Sequence, residues 1–301
     1  MYHNPVLLAE CLEGLAIRPD GVYVDVTFGG GGHSKAILAQ LGEKGRLFAF
    51  DQDPDARANA EAIDDKRLTF AEATFRLLQT YLRVYGVKQV DGILGDLGVS
   101  SHQFDTPERG FSTRFEANLD MRMNPRGGVS ARDIVNGYSA EELHRIFGMY
   151  GELQNAKTAA LAVVAARANG PLETVNDLTA SLQRCVPRGK ENKYFAQVFQ
   201  ALRIEVNDEM GALQDFLTQS AEVLKVKGRL VVMSYHSLED RLVKNFIGKG
   251  KFYGEVEKDL FGNDLNPLLS VTRKPIEASN CVLPKNCKSS RSSYNSHQQN
   301  I

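Results

Sequence analysis

Apolar positions in the first third of the chain fall in short runs that alternate with segments of helical spacing. Gly21–Thr27 (GVYVDVT), Arg46–Phe50, Leu68–Ala71 and Val90–Leu97 are rich in β-branched and aromatic residues, which predicts strands. Ser34–Leu41, Pro54–Ile63 and Phe75–Tyr85 between them have helical periodicity, and Pro54 suits a first helical turn. Strand and helix at this pitch predict βαβ units and a parallel sheet. After Ser101 the pattern changes. Residues 102–132 are rich in Gly, Pro, Asn and Arg, and about Ser130 to Leu224 reads as helical throughout. The clearest stripe runs through Phe195, Phe199, Leu202, Val206, Met210, Leu213 and Leu217, as one helix. Strand character returns at Arg229–Tyr235, a helix is expected from Ser237, and a late strand near Leu269–Thr272. The pattern therefore predicts an α/β domain from residues 1–106 and 211–301, interrupted by a helical insertion at 107–210. The polar stretch from about 276 to 301 reads as a flexible basic tail or as a basic arm that orders on RNA.

Composition changes this picture little. Of 301 residues, 43% are apolar and 24% charged, as in an ordinary globular protein rather than a disordered chain. The longest apolar run, Ala159–Ala166, is too short to span a bilayer, and MYHNPVLLAE lacks the basic start and apolar stretch of an export signal. The cysteines Cys11, Cys185, Cys281 and Cys287 are scattered without a CxxC pair, so reduced thiols and a cytoplasmic location are expected. Lys plus Arg number 36 against 37 Asp plus Glu, a formal charge of −1, which argues against a globally basic nucleic-acid binder but not against a local basic face.

The strongest chemical signal is DVTFGGGGHS, Asp25–Ser34, at a strand-to-helix turn. Glycines there let a ligand approach the backbone, and the helix start offers free N–H groups. A P-loop is excluded because no GxxxxGK[ST] occurs, and the GxGxxG dinucleotide fingerprint fails at Ser34 or Lys35. S-adenosylmethionine, which has no pyrophosphate, fits best, with one acid before the loop (Asp25) and one at the end of the second strand (Asp51), where a carboxylate can accept both ribose hydroxyls. Asp53 is better placed to cap the helix after Pro54. Asp96 ends the fourth strand, where parallel sheets hold ligands. It can bind the cofactor, accept the N–H of an exocyclic base amine such as cytosine N4, or do both. A non-catalytic SAM- or RNA-binding assembly factor and an NAD-dependent oxidoreductase are the rival classes.

HNPVLLAE, DVTFGGGGHS, DLGVSS (Asp96–Ser101), RGFS (Arg109–Ser112), LDMRM (Leu119–Met123), FQALRIEVN (Phe199–Asn207) and SYHSLEDR (Ser234–Arg241) are similar to the motifs of the MraW/RsmH methyltransferases, in the same order. The resemblance implies a class I methyltransferase sheet with a helical insertion. It implies S-adenosylmethionine-dependent N4-methylation of a cytidine in the decoding region of 16S rRNA, within the small ribosomal subunit. By the same resemblance Gly31, Gly32, His33, Asp51, Phe75, Asp96 and Gln103 would hold the cofactor, with Phe75 against the adenine. The family's proline-rich run before FQALRI reads KENKYFAQV here, and its basic C-terminal motif appears as NCKSSRSSYN.

For the substrate, Ser100 and Ser101 follow Asp96, and His236 stands at a strand end. Arg109, Arg122 and Arg203 are candidate phosphate contacts, as are Arg114, Arg126 and Arg132 and a second cluster of Arg184, Arg188, Lys190 and Lys193. Phe111 and Phe115 could stack on a base or pack the insertion, packing being slightly favoured. Ser237–Asp240 reads as a capping box rather than a metal site, and no metal is expected.

Overall fold

The structure is a computed structural model that describes residues 5–272, 275–277 and 293–299. It divides into two compact units, Met1–Gly98 with Met210–Ile301, and Val99–Glu209. The insertion thus begins eight residues before the expected 107, directly after the turn at Gly98.

The first unit is built on strands β1 (Val22–Asp25), β2 (Arg46–Asp51), β3 (Leu68–Glu72), β4 (Val90–Asp96), β5 (Leu224–Ser234), β6 (Leu268–Ser270), β7 (Ile276–Glu277) and β8 (Ser293–Gln299). Its order is β3-β2-β1-β4-β5-β8-β6, with β7 also paired to β8. The first five strands in that order are parallel, and β8 runs antiparallel to β5. This is the α/β sheet the alternating pattern predicts. β5 starts earlier than expected and shifts register against β4 between Val90 and Gly92. The expected flexible tail differs from the structure at β7 and β8, whose backbones join the sheet; residues 278–292 lie outside the described residues.

The central strands are buried on both faces, so they read as continuous apolar runs. Successive residues alternate between two cores. Phe48, Phe50, Ile93, Leu230 and Val232 face one with Leu78, Leu82, Phe216 and Val243. Tyr23, Leu47, Leu94, Val231 and Met233 face the other with Cys11, Leu15 and Ile37. Helices α1 (Leu8–Leu15) and α2 (Gly32–Gln40) supply the latter core. α3 (Asp55–Glu61) lies beyond β2, and α4 (Leu78–Val84) packs in the former.

The second unit holds α5 (Ser101–Asp105), α6 (Ala131–Gly137), α7 (Ala140–Met149), α8 (Ala156–Arg167), α9 (Val175–Leu182) and α10 (Glu191–Asn207). Its own core includes Leu119, Met121, Ile134, Phe147, Leu178, Val198 and Leu202. Reciprocal capping boxes start α5, α6, α7 and α9, from Ser100, Ser130, Ser139 and Thr174. The long apolar stripe predicted as one helix is two. Asp208 adopts a left-handed conformation (φ 45°) and ends α10, and α11 (Glu209–Val223) then returns to the first unit, where α12 (Ser237–Lys249) follows β5. The stripe survives the break because both helices bury their apolar faces, each in its own core.

Candidate functional site

Three strand ends of the first unit define the candidate site. β1 lies between β2 and β4, so the loop after β1 is flanked by Asp51 at the end of β2 and Asp96 at the end of β4. Chain connectivity reverses between β1 and β4, which is where parallel sheets open a crevice for ligands.

The loop is pinned from inside. Asp25 is 1% exposed, its Oδ1 accepting the Thr27 N–H (3.1 Å) and its Oδ2 the Ser34 hydroxyl (2.7 Å). Burial raises its pKa, while the nearby His33 and these donors pull it down. Asp25 thus acts as the internal brace of the loop. Thr27 Oγ1 accepts the Asp96 N–H at 2.7 Å and ties the loop to the β4 tip. Asn59 of α3 donates to the Gly29 carbonyl at 3.0 Å.

Two glycines are required by local geometry. Gly31 has φ +74°, and a Cβ there would lie 2.8 Å from the Phe28 ring. At Gly32, the first residue of α2, a Cβ would lie 2.4 Å from Pro5. The Gly31 N–H closes the turn on the Phe28 carbonyl at 2.7 Å, and the helix start at Gly32 offers the amides that an α-helix leaves without an internal partner.

Asp51 accepts the Gly29 N–H through Oδ2 (2.7 Å) and the Asp53 N–H through Oδ1 (2.9 Å). Burial pushes its pKa up to about 6, against the pull of those two amides. The two bonds orient the carboxylate, and its remaining lone pairs can accept ligand hydroxyls. Asp53 accepts the Asp55 N–H at 3.1 Å at the start of α3, the capping role the sequence suggests.

Asp96 accepts a 2.6 Å hydrogen bond from the Tyr235 hydroxyl through Oδ1, and its Oδ2 lies 3.9 Å from His33 Nδ1. Its side chain is 24% exposed. Burial raises its pKa to about 6; His33 and the Tyr235 bond lower it, and Asp25 and Glu239 add to the rise. His33 is buried, and its Nε2 has no hydrogen-bond partner among the described residues. A buried ring nitrogen without a partner is costly, and a ligand group would satisfy it. The sequence reading passed over Tyr235. Its position at the end of the apolar run that predicts β5, beside the β4 tip, is the signal that could have found it.

Phe75 opens a short 3₁₀ turn after β3 and packs edge-to-face on Phe216 with ring centroids 5.5 Å apart. His236, in the same unit, caps α12: its Nδ1 accepts the Glu239 N–H at 3.4 Å. Glu239 in turn accepts the Tyr235 N–H at 2.9 Å. The capping pattern is real but begins one residue before Ser237, because the imidazole takes the place of a hydroxyl.

The remaining candidates belong to the second unit. Gln103 completes the capping box of α5, accepting the Ser100 N–H while its own N–H meets Ser100 Oγ, both at 3.1 Å; Ser101 is exposed. Arg109 donates to the carbonyls of Arg122 and Met123 (3.0 and 2.8 Å), and Arg122 grips Asp120 through Nε and Nη2. Arg203 is bidentate to Glu209 at 2.8 and 3.0 Å. These three guanidinium groups are engaged within the unit, by backbone carbonyls for Arg109 and by carboxylates for Arg122 and Arg203. Phe111 is 5% exposed in the core of this unit, so it packs rather than stacks on a base. Phe115 is partly buried, with the Arg114 guanidinium 5.4 Å from its ring centre. By contrast Arg184, Arg188, Lys190 and Lys193 are exposed and form no ion pair among the described residues.

An acid-flanked glycine turn on a sheet of this order is the arrangement of class I methyltransferases, and comparison with known proteins agrees. The chain is 59% identical over 271 residues to "Ribosomal RNA small subunit methyltransferase H" of Cytophaga hutchinsonii, covering 90% of this chain and 91% of that one. It is 55% identical to the protein of the same name from Flavobacterium johnsoniae over 270 residues, 90% of this chain and 89% of that one. A family model described as the MraW methylase family matches residues 1–296. With the whole chain matched in this way, the protein belongs to the MraW methylase family.

Proposed function

We propose that this protein methylates N4 of a cytidine in the decoding region of 16S rRNA, presented by the small ribosomal subunit, and that it uses S-adenosylmethionine. The observation that carries this reading is the pair of carboxylates, Asp51 and Asp96, held at strand ends on either side of one glycine turn. The names of the similar proteins support a small-subunit rRNA substrate, and the motif resemblance supports the cytidine.

The residues fit the cofactor. Asp51 would take the ribose hydroxyls, and the first-turn amides of α2, from Gly32 onward, the amino-acid portion. His33 Nε2, buried without a partner, would gain one, and Phe75 would lie against the adenine. Bound there, S-adenosylmethionine supplies an electrophilic methyl carbon on a positively charged sulfur.

The amine of cytosine is a weak nucleophile because its lone pair is delocalised into the ring. Asp96 counters this. With Oδ1 engaged by Tyr235, Oδ2 is left to accept an N4–H and turn the lone pair toward the methyl carbon. As the N–C bond forms and the C–S bond breaks, with its electron pair left on sulfur, Asp96 receives the displaced proton and releases it to water. Alignment of the reactants supplies the rest of the rate.

The test uses S-adenosylmethionine with an isotopically labelled methyl group and small subunits whose 16S rRNA lacks the modification. Nucleosides from the digested rRNA should carry the label as N4-methylated cytidine. Label on another base contradicts the assignment. Cofactor and RNA binding with no transfer at any stage of subunit assembly favours a non-catalytic assembly factor.

A further inference from the structure

Asp96 sits in a buried setting rich in negative charge. From α1, the Cys11 thiol lies near; from β1, Asp25; from α2, His33; and from the β5–α12 junction, Tyr235 and Glu239. Of these, only Tyr235 forms a hydrogen bond to the carboxylate, through its hydroxyl at 2.6 Å.

Tyr235 is itself held on two sides. Its N–H is bonded to the buried Glu239 (2.9 Å), and its ring lies beside Gly98, where an added Cβ would be 3.4 Å away. Gly98 has φ +91°, a conformation open to glycine that lets the chain turn away just past Asp96. The phenol is therefore aimed at one carboxylate oxygen by backbone contacts that do not depend on a ligand.

We propose that Tyr235 is a positioning residue for methyl transfer: its hydroxyl occupies Asp96 Oδ1, so that Oδ2 alone faces the acceptor amine in a fixed direction and in its ionised form. This inference rests on the reading of Asp96 as the acceptor of the amine hydrogen. The bond has two separable consequences. It fixes the torsion of the carboxylate. It also favours the charged carboxylate, because a donor to the anion lowers its pKa. Burial pushes Asp96 up to about 6, and the Tyr235 bond is among the forces opposing that rise. Activity needs Asp96 ionised, so it falls as pH drops through this value. Without the phenol the pKa rises further, and the acid limb of the rate profile moves to higher pH.

The test compares wild type, Tyr235→Phe and Asp96→Asn in single-turnover transfer of labelled methyl to small subunits lacking the modification, from pH 5 to 9. Calorimetry gives the affinity for S-adenosylmethionine in parallel. For Tyr235→Phe the inference expects a rate at least about tenfold lower at pH 7, the order of one lost hydrogen bond to a charged group. It expects an acid-limb midpoint higher by about one unit and cofactor affinity within twofold of wild type. A singly fluorinated tyrosine placed at 235, which keeps the shape and strengthens the donor, should move the midpoint the other way. A slow Asp96→Asn beside a Tyr235→Phe with wild-type rate and midpoint overturns the role of Tyr235 alone. An Asp96→Asn that transfers at wild-type rate overturns the parent reading of Asp96. A fluorotyrosine protein with an unmoved midpoint also counts against Tyr235, and serves if Tyr235→Phe folds poorly.

Discussion

At the scale of single residues, the site rests on carboxylates that burial makes reluctant to ionise. Asp51 and Asp96 both stand near 6, well above an ordinary aspartate, and each is oriented by hydrogen bonds from the protein before any ligand arrives. Such preorganisation lowers the cost of binding, because the groups need not be ordered at that moment. If Asp51 holds the ribose hydroxyls, Asp51→Ala should weaken S-adenosylmethionine binding by about 1.5–3 kcal/mol, the range for hydrogen bonds to a charged group, measured by calorimetry above pH 7. Unchanged affinity would remove Asp51 from the site. Below pH 6 the wild-type affinity should also decline, because protonation turns an acceptor-only carboxylate into a group that also donates. The arginines teach the converse. Arg109, Arg122 and Arg203 stand in motifs, yet their guanidinium groups are bonded within their own unit. Sequence gives the type of a side chain but not its partners, and the partners decide whether a charge is available.

At the scale of elements, period and turn chemistry were legible wherever local rules govern. Strands β1 to β4 fall within or close to their apolar runs, because a buried parallel strand must be apolar on both faces. The glycine turn was legible for the same reason: positive φ and close approach leave glycine at Gly31. The errors arose where tertiary contacts outrank local pattern. The break at Asp208 lies inside an uninterrupted apolar stripe, with neither glycine nor proline at Asn207–Glu209 to mark it, and the chain passes there from one core to the other. The cap of α12 moved to His236, because an imidazole nitrogen can accept the N–H that a serine oxygen ordinarily takes. The backbone pairing of β8 with β5 had no signal in a polar tail, since an antiparallel strand added beside a sheet edge gains its bonds from the backbone.

At the scale of the whole molecule, the chain forms two units with separate cores, and the proposed methyl-transfer site is built in the first. No helix among the described residues is long and apolar enough to cross a membrane. Arg184, Arg188, Lys190 and Lys193 of the second unit are exposed and without an ion pair among the described residues, and we propose them as phosphate contacts. Replacing all four by Ala should flatten the dependence of log K for rRNA on log[salt] by roughly 3, at about 0.7 per contact on single strands. Cofactor affinity should be unchanged, and an unaltered slope would place the RNA elsewhere. The central claim, that the turn between Asp51 and Asp96 receives S-adenosylmethionine, is tested most directly by a crystal structure of the protein with S-adenosylhomocysteine. The account predicts the ligand along Gly29–Gly32, with its ribose hydroxyls on the Asp51 carboxylate and its sulfur on the side of Asp96 Oδ2. A ligand bound away from this turn, or out of reach of both carboxylates, would contradict it.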